Sequence, residues 1–168
     1  LVFHAPTRGL MGYTSRFLTL TKGTGVINRI FHGYGKFEGE MDGRKNGALI
    51  SMSTGKAVAF AIFNLQARGE MFVTHNDPVY EGMIVGLTPK PGDMIINVMK
   101  GKQLTNMRTQ GTDENVVLTP VRQMSIAEQL SMLNTDEALE ITPKSLRLRK
   151  AILNPHDRKK SEKSGAAA

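Results

Sequence analysis

At 168 residues, 40% apolar and 22% charged, the chain has the make-up of an ordinary globular protein, with room for one good core or for one domain and part of another. The absence of cysteine excludes a disulfide framework, a thiolate nucleophile and a zinc–thiolate site, and fits a reducing compartment. The net charge is +7, and most of it falls late: from Lys144 onward stand Lys144, Arg147, Arg149, Lys150, Arg158, Lys159, Lys160 and Lys163, against only Asp157 and Glu162.

Residues 2–6 suit a short strand. Leu10, Tyr13, Phe17 and Leu20 then fall at helical spacing, with Met11 and Leu18 beside them and Arg16 and Thr19 pointing away. Lys22 and Gly23 supply a basic last turn and a glycine stop. Residues 25–34 alternate as a half-buried strand does, with Ile27, Arg29 and Phe31 against Val26, Asn28 and Ile30. A strand, a helix and a strand cannot bury both of their faces alone, so residues 1–37 predict half of a domain. The chain opens on Leu1 without an initiator methionine, which fits a piece of something longer.

Residues 38–47 are polar and rich in glycine and predict a linker. Beyond them the texture changes to short strands, at 48–52, 71–74, 82–87, 94–100 and 116–118. The apolar run 57–63 reads as a strand passing into a short helix that ends at Gly69, with Arg68 in its last turn. Ser125 and Glu128 have the spacing of a capping box opening a helix over 126–133. The last strands are 138–142 and 144–150; in the latter Leu146 and Leu148 face one way, and Ser145, Arg147 and Arg149 the other. Residues 154–168 hold too little apolar matter for a core and predict a disordered basic tail. The class is α+β, with residues 48–153 forming a mostly β, barrel-like or sandwich-like domain that carries one or two short helices.

No catalytic set emerges. Gly55-Lys56 lacks the P-loop's first glycine and its Ser/Thr, since Ile50 and Ala57 occupy those places. Gly33 and Gly35 begin a dinucleotide-type pattern that Glu38 breaks. His4, His32, His75 and His156 are scattered, and His75-Asn76-Asp77 before Pro78 reads as an Asx-type turn rather than a metal site. Ser51 and Ser53 lack a nucleophile elbow. No apolar run approaches the ~18 residues that span a bilayer.

Two features remain. The stretch 100–114 is long for a connection between strands, and its first nine residues carry Lys100, Lys102 and Arg108 with no acid. Lysine and arginine there suit phosphates, and Thr105 and Asn106 suit sugars or base edges. The second feature is the strand 144–150, whose Lys144, Arg147, Arg149 and Lys150 predict a second phosphate-contacting face. Few aromatic residues accompany these cations, so backbone and shape recognition fits better than base stacking. The bland readings are a surface hairpin with incidental charge and a solvated edge strand.

The motif Arg8-Gly9-Leu10-Met11-Gly12-Tyr13, the run Leu20-Thr21-Lys22-Gly23-Thr24-Gly25 and Tyr34 resemble the second half of domain V of elongation-factor-G-like translational GTPases. Further along, Arg44-Lys45-Asn46-Gly47, Phe63-Asn64-Leu65-Gln66-Ala67-Arg68-Gly69, Val79-Tyr80-Glu81-Gly82-Met83-Ile84-Val85-Gly86, Lys102-Gln103-Leu104-Thr105-Asn106-Met107-Arg108, Gly111-Thr112-Asp113-Glu114 and Thr142-Pro143-Lys144-Ser145-Leu146-Arg147-Leu148-Arg149-Lys150 resemble the C-terminal domain of the TypA/BipA family of ribosome-binding GTPases. The resemblance implies half of a ferredoxin-like domain V followed by a mostly β, barrel-like C-terminal domain. It implies no catalysis and no cofactor in this segment, with GTP and magnesium held by a GTPase domain elsewhere in the parent. The partners it implies are the ribosome, through large-subunit rRNA and the acceptor end of A-site tRNA, and the parent's own upstream GTPase domains. A cytoplasmic, ribosome-associated monomer active in translation, large-subunit assembly and stress adaptation follows, with no membrane role. The alternative is a protein-interaction module that docks onto its GTPase domains without touching RNA. Departures from the family occur at residues 88–92, which replace a His-Ser-Arg-like turn, at residues 74–77, and at Thr109 and Gln110.

Overall fold

The computed structural model describes residues 1–37, 39, 44–101 and 117–165. They fall into two compact units, Leu1–Arg44 with Met124–Thr135, and Lys45–Gln123 with Asp136–Ala168.

In the first unit a 3₁₀ turn over Thr7–Leu10 leads into helix α1, Tyr13–Leu20. The glycine stop forms as the sequence predicts, but α1 ends at Leu20 and Lys22 lies beyond it, so its last turn holds no basic residue. Lys22 and Gly23 both take positive φ, and the Gly23 amide donates to the Leu18 carbonyl at 2.7 Å, satisfying an orphan acceptor of the last turn. The segments on either side of α1 form no ladder among the described residues. Val2, Phe3, Val26, Ile30, Phe31 and Tyr34 stay exposed, because a strand needs a neighbouring strand and a covering layer that these elements do not supply to one another. The helix Ile126–Ser131 of this unit is introduced by its capping box: the Glu128 amide donates to Ser125 Oγ at 3.3 Å, and the Ser125 amide donates to Glu128 Oε2 at 2.9 Å. Gly12 lies against this helix with φ of 71°, and a Cβ there would stand 2.7 Å from Ser131 Oγ and 3.2 Å from the Ala127 carbonyl oxygen.

The second unit is built on a four-stranded sheet. Its strands are β1 (Ala48–Ser51), β3 (Glu70–Met71), β5 (Ile84–Leu87) and β6 (Met94–Ile96), in the order β3-β5-β1-β6. β1 runs antiparallel to β5 and parallel to β6. Both central strands are buried at every position, which is why they read as continuous apolar runs rather than alternating ones. Two further strands, β2 (Gly55–Lys56) and β4 (Pro78–Val79), pair with each other. Of the strand and helix read from 57 to Gly69, only the helix forms, α2 over Ala59–Gln66; it stops short of Gly69, leaves Arg68 beyond its last turn, and buries Ala61 and Ile62. Leu49, Ile62, Val73, Val79, Val85 and Val98 form the heart of the core.

The hairpin of β7 (Glu137–Ile141) and β8 (Leu146–Lys150) completes the unit's strands. Its registers include Glu140 opposite Arg147 and Glu137 opposite Lys150. The α+β class is as predicted, yet among the described residues the sheets are open and close into no barrel. β1, β3, β5 and β6 form one layer, and the two remaining pairs are separate two-stranded sheets.

The tail also differs from expectation. Where the sequence predicts disorder over 154–168, Pro155–Gly165 is a helix; numbering the helix at Ile126–Ser131 as α3, this one is α4. Asn154 Oδ1 accepts from the amides of His156, at 2.8 Å, and Asp157. Proline at the first helical position and the long charged side chains that follow favour the helix locally. A single surface helix needs no core of its own, so the scarcity of apolar residues does not prevent it.

Candidate nucleic-acid interface

The predicted loop 100–114 is anchored at both ends. On one side Val98 is fully buried and its carbonyl accepts from the Val58 amide at 2.9 Å. On the other, Leu118 packs on the core, and Thr119 exchanges two hydrogen bonds with the Gln66 amide group at 2.9 and 3.1 Å. Lys100 is exposed at the loop's first position. Lys102, Thr105, Asn106 and Arg108 lie outside the described residues.

On the hairpin, the turn between β7 and β8 is tied by Thr142, whose hydroxyl accepts from the Ser145 amide at 3.0 Å. Lys144 is exposed at its tip. Arg147 is half-buried and stands 3.7 Å from Glu140 on the opposite strand. The other oxygen of Glu140 accepts from the Tyr80 hydroxyl. Burial first, and then the bond to the Glu140 carboxylate, push the Tyr80 phenol up to about 12. Arg149 turns its guanidinium back onto the carbonyls of Lys150, at 3.2 Å, and Ala151.

Lys150 is not on this face. It is 2% exposed, and its ammonium contacts the carboxylates of Asp93, Asp136 at 2.6 Å and Glu137 at 3.0 Å. Asp93 also accepts from the Ala48 amide at 2.7 Å, so the cluster joins the end of β8 to the head of β1. Burial alone depresses an ammonium, but the bonds to Asp136, Asp93 and Glu137 outweigh it and hold Lys150 above its ordinary value. The signal for this position lay in the alternation itself: with period two, Lys150 shares the inward face of Leu146 and Leu148, not the face of Arg147 and Arg149. Its main-chain amide donates to the Gly82 carbonyl at 2.9 Å. Gly82 has φ of 83° and sits where a Cβ would meet the Leu153 backbone at 2.7 Å.

The structure therefore brings Arg147, Arg149 and Glu140 together on one hairpin, with Tyr80 reaching Glu140 from beyond β4, and turns Lys150 into an internal anchor. Tyr80, Glu140, Asp93 and Asp136 were not predicted. The pairing of Glu140 with Arg147 follows only once the hairpin register is known. His75-Asn76-Asp77 is a turn, with Asp77 Oδ2 accepting from the Thr74 amide at 2.7 Å and the His75 ring accepting from the first amide of α2. Among the described residues no group of three or more His, Asp or Glu side chains is placed to hold a metal ion. No helix among them is long and apolar enough to cross a membrane. Among the described residues, Lys100 and the hairpin's Lys144 and Arg147 can offer cationic contacts.

A family model described as the TypA/BipA C-terminal domain matches residues 46–155. The chain is 48% identical over 158 residues to the large ribosomal subunit assembly factor BipA of Buchnera aphidicola (subsp. Schizaphis graminum, strain Sg), covering 94% of this chain and 26% of that protein. It is 46% identical over 159 residues to the protein of that name in Salmonella typhimurium, covering 94% and 26%. Against the Bacillus subtilis (strain 168) protein of that name it is 44% identical over 169 residues, covering 100% and 28%. The chain spans about a quarter of the length of these relatives.

Proposed function

The chain belongs to the TypA/BipA family through its C-terminal domain, and on that premise we propose that it is the ribosome-binding end of a large-subunit assembly factor and touches rRNA and tRNA directly. GTP and magnesium belong to the GTPase domain of such a parent, and the parent as a whole acts in translation, large-subunit assembly and stress adaptation. This segment supplies binding. The observation that carries the reading is a family match joined to a loop whose two ends are pinned to the core while its cations lie between them. Anchored ends restrict where a loop's side chains can reach, which reduces the entropy lost on docking. Lys100, Lys102, Arg108 and the exposed Lys144 contact phosphates; Thr105 and Asn106 bond sugars or base edges. Arg147 joins them by exchanging Glu140 for a phosphate. Lys150 holds the hairpin in place.

A second reading has a specific observation behind it. Arg147, Arg149 and Lys150 already have partners within the fold, as they would in a module that docks on protein and leaves RNA untouched. Co-sedimentation with purified large ribosomal subunits over a range of KCl concentrations separates the two. On the RNA reading, Lys102→Ala and Arg108→Ala each flatten the slope of log affinity against log salt by roughly 0.7–0.9. Wild-type slope and affinity in both variants remove the loop from the contact surface and favour the docking module.

A further inference from the structure

We propose that α4 is a cationic recognition helix whose outer face, His156, Lys159, Lys160 and Lys163, lies along an RNA phosphate backbone. The inference rests on the RNA-binding reading and extends it to residues that neither the loop nor the hairpin includes. At about 100° of rotation per residue, these four side chains fall within an arc of about 100°. All four are exposed.

The opposite side of the helix fixes this orientation. Arg158 is half-buried and donates to the carbonyls of Ile152, at 3.0 Å, and Leu153, at 2.6 Å. Arg158 and Ser161 also line a shallow cavity with Asp136, Ala151 and Ile152. The mean direction of Arg158 and Ser161 lies about 180° from the mean direction of the His–Lys face. Arg158 thus ties the helix to the segment that follows β8, and the lysines face away from that contact as a set. A flexible tail of equal charge would not fix their spacing.

The chemistry favours RNA over an anionic bilayer. A helix that lies in a membrane interface sets an apolar face with Leu, Phe or Trp against its basic one. Residues 155–165, P-H-D-R-K-K-S-E-K-S-G, contain no such residue. A phosphate backbone needs only cations at repeating intervals.

The test uses the whole chain and a fluorescein-labelled RNA hairpin, with affinity read by anisotropy over a range of KCl concentrations. The variant Lys159→Ala/Lys160→Ala/Lys163→Ala is expected to lower the log–log slope by roughly 2–3, from three lost contacts of ~0.7–0.9 each. Ser161→Pro breaks the helix without changing net charge and is expected to weaken binding several-fold. Circular dichroism checks that the rest of the fold is retained. Wild-type binding by the triple variant overturns the α4 proposal, and if Lys102→Ala or Arg108→Ala still lowers the slope, the RNA-binding reading survives it. A reduced slope in the triple variant with no effect of Ser161→Pro makes the lysines a solvated tail and also overturns it. So does capture by phosphatidylserine vesicles without RNA binding. Absence of salt-sensitive RNA binding by the wild type overturns both readings.

Discussion

Replacing Lys150 with methionine tests whether the hairpin is held by a buried cation. Methionine keeps most of the side-chain volume and removes the charge from among three carboxylates. These differ in weight: Asp136 is 58% exposed and Asp93 33%, whereas the Glu137 side chain is 0% exposed. Contacts to the first two are screened by water and add little each. The pair with Glu137 dominates, because its carboxylate stays in the interior when the ammonium goes. Breaking a buried pair from one side costs about 3–5 kcal/mol, and screening of the other two places Lys150→Met near the lower end, about 3. For a chain of this size that corresponds to a fall in melting temperature of about 6–12 °C. Urea denaturation followed by circular dichroism gives the free energy directly. A companion Glu137→Gln variant gives the coupling, with the double variant expected to lose clearly less than the sum of the two single losses.

The pH dependence supplies a second sign. Lys150 is raised in the folded state, so its contribution is complete below the unfolded value near 10.5 and is lost as pH rises through the higher folded value. Tyr80, raised from 10.0 to about 12, acts in the same direction, with its contribution lost between about pH 10 and 12. Wild-type stability should therefore fall on the alkaline side, and Lys150→Met should retain only the part due to Tyr80. A Lys150→Met protein within about 0.5 kcal/mol of wild type, the scatter of ordinary surface substitutions, would refute the buried anchor.

Two further perturbations probe the neighbouring links. Tyr80→Phe deletes the hydroxyl that donates to Glu140 and should cost about 1.5–3 kcal/mol as a bond to a charged acceptor; absorbance titration should lose a tyrosine ionising near pH 12, and an unchanged titration would show that another phenol is responsible. Gly12→Val places a branched side chain at φ of 71° and against Ser131. A destabilisation of about 2 kcal/mol or more is expected, with faster amide exchange across residues 125–131; exchange confined to α1 would mean that α3 does not rest there.

What the sequence made legible were the features set by local chemistry. The Ser125–Glu128 capping box, the glycine stop at Gly23 and the turn at 74–77 each depend on residues a few positions apart, and each forms as read. The buried strands β1 and β5 were equally plain, because only a core tolerates Ala-Leu-Ile and Ile-Val-Gly-Leu without polar interruption. The strands read on either side of α1 do not form for a non-local reason: residues 2–6 and 25–34 have strand composition but no paired neighbour among the described residues. The tail failed for the opposite reason, since Asn154 and Pro155 begin a helix locally and a compositional argument about cores passes over such a signal. For Lys150 the period-two rule pointed inward, and the assumption that lysine belongs in water set it aside. A buried lysine needs acids from other elements, and Asp93, 57 residues away, could be placed beside it only by the fold.

That sorting of cations bears on function more than their total. A phosphate can compete for a cation only if the partner left behind tolerates the loss. Phosphate capture of Lys150 would abandon a fully buried carboxylate, so its charge is unavailable however basic the chain is overall. Arg147 is a different case: Glu140 is partly exposed and keeps the Tyr80 hydroxyl when the guanidinium leaves. Among the described residues no carboxylate pairs with Arg149, whose Nη1 donates to main-chain carbonyls at the exit of β8. Lys100, Lys144 and the lysines of α4 stand exposed. If RNA is the partner, its salt dependence should follow these exposed lysines together with the loop, while substitutions in β8 act mainly through the stability of the hairpin.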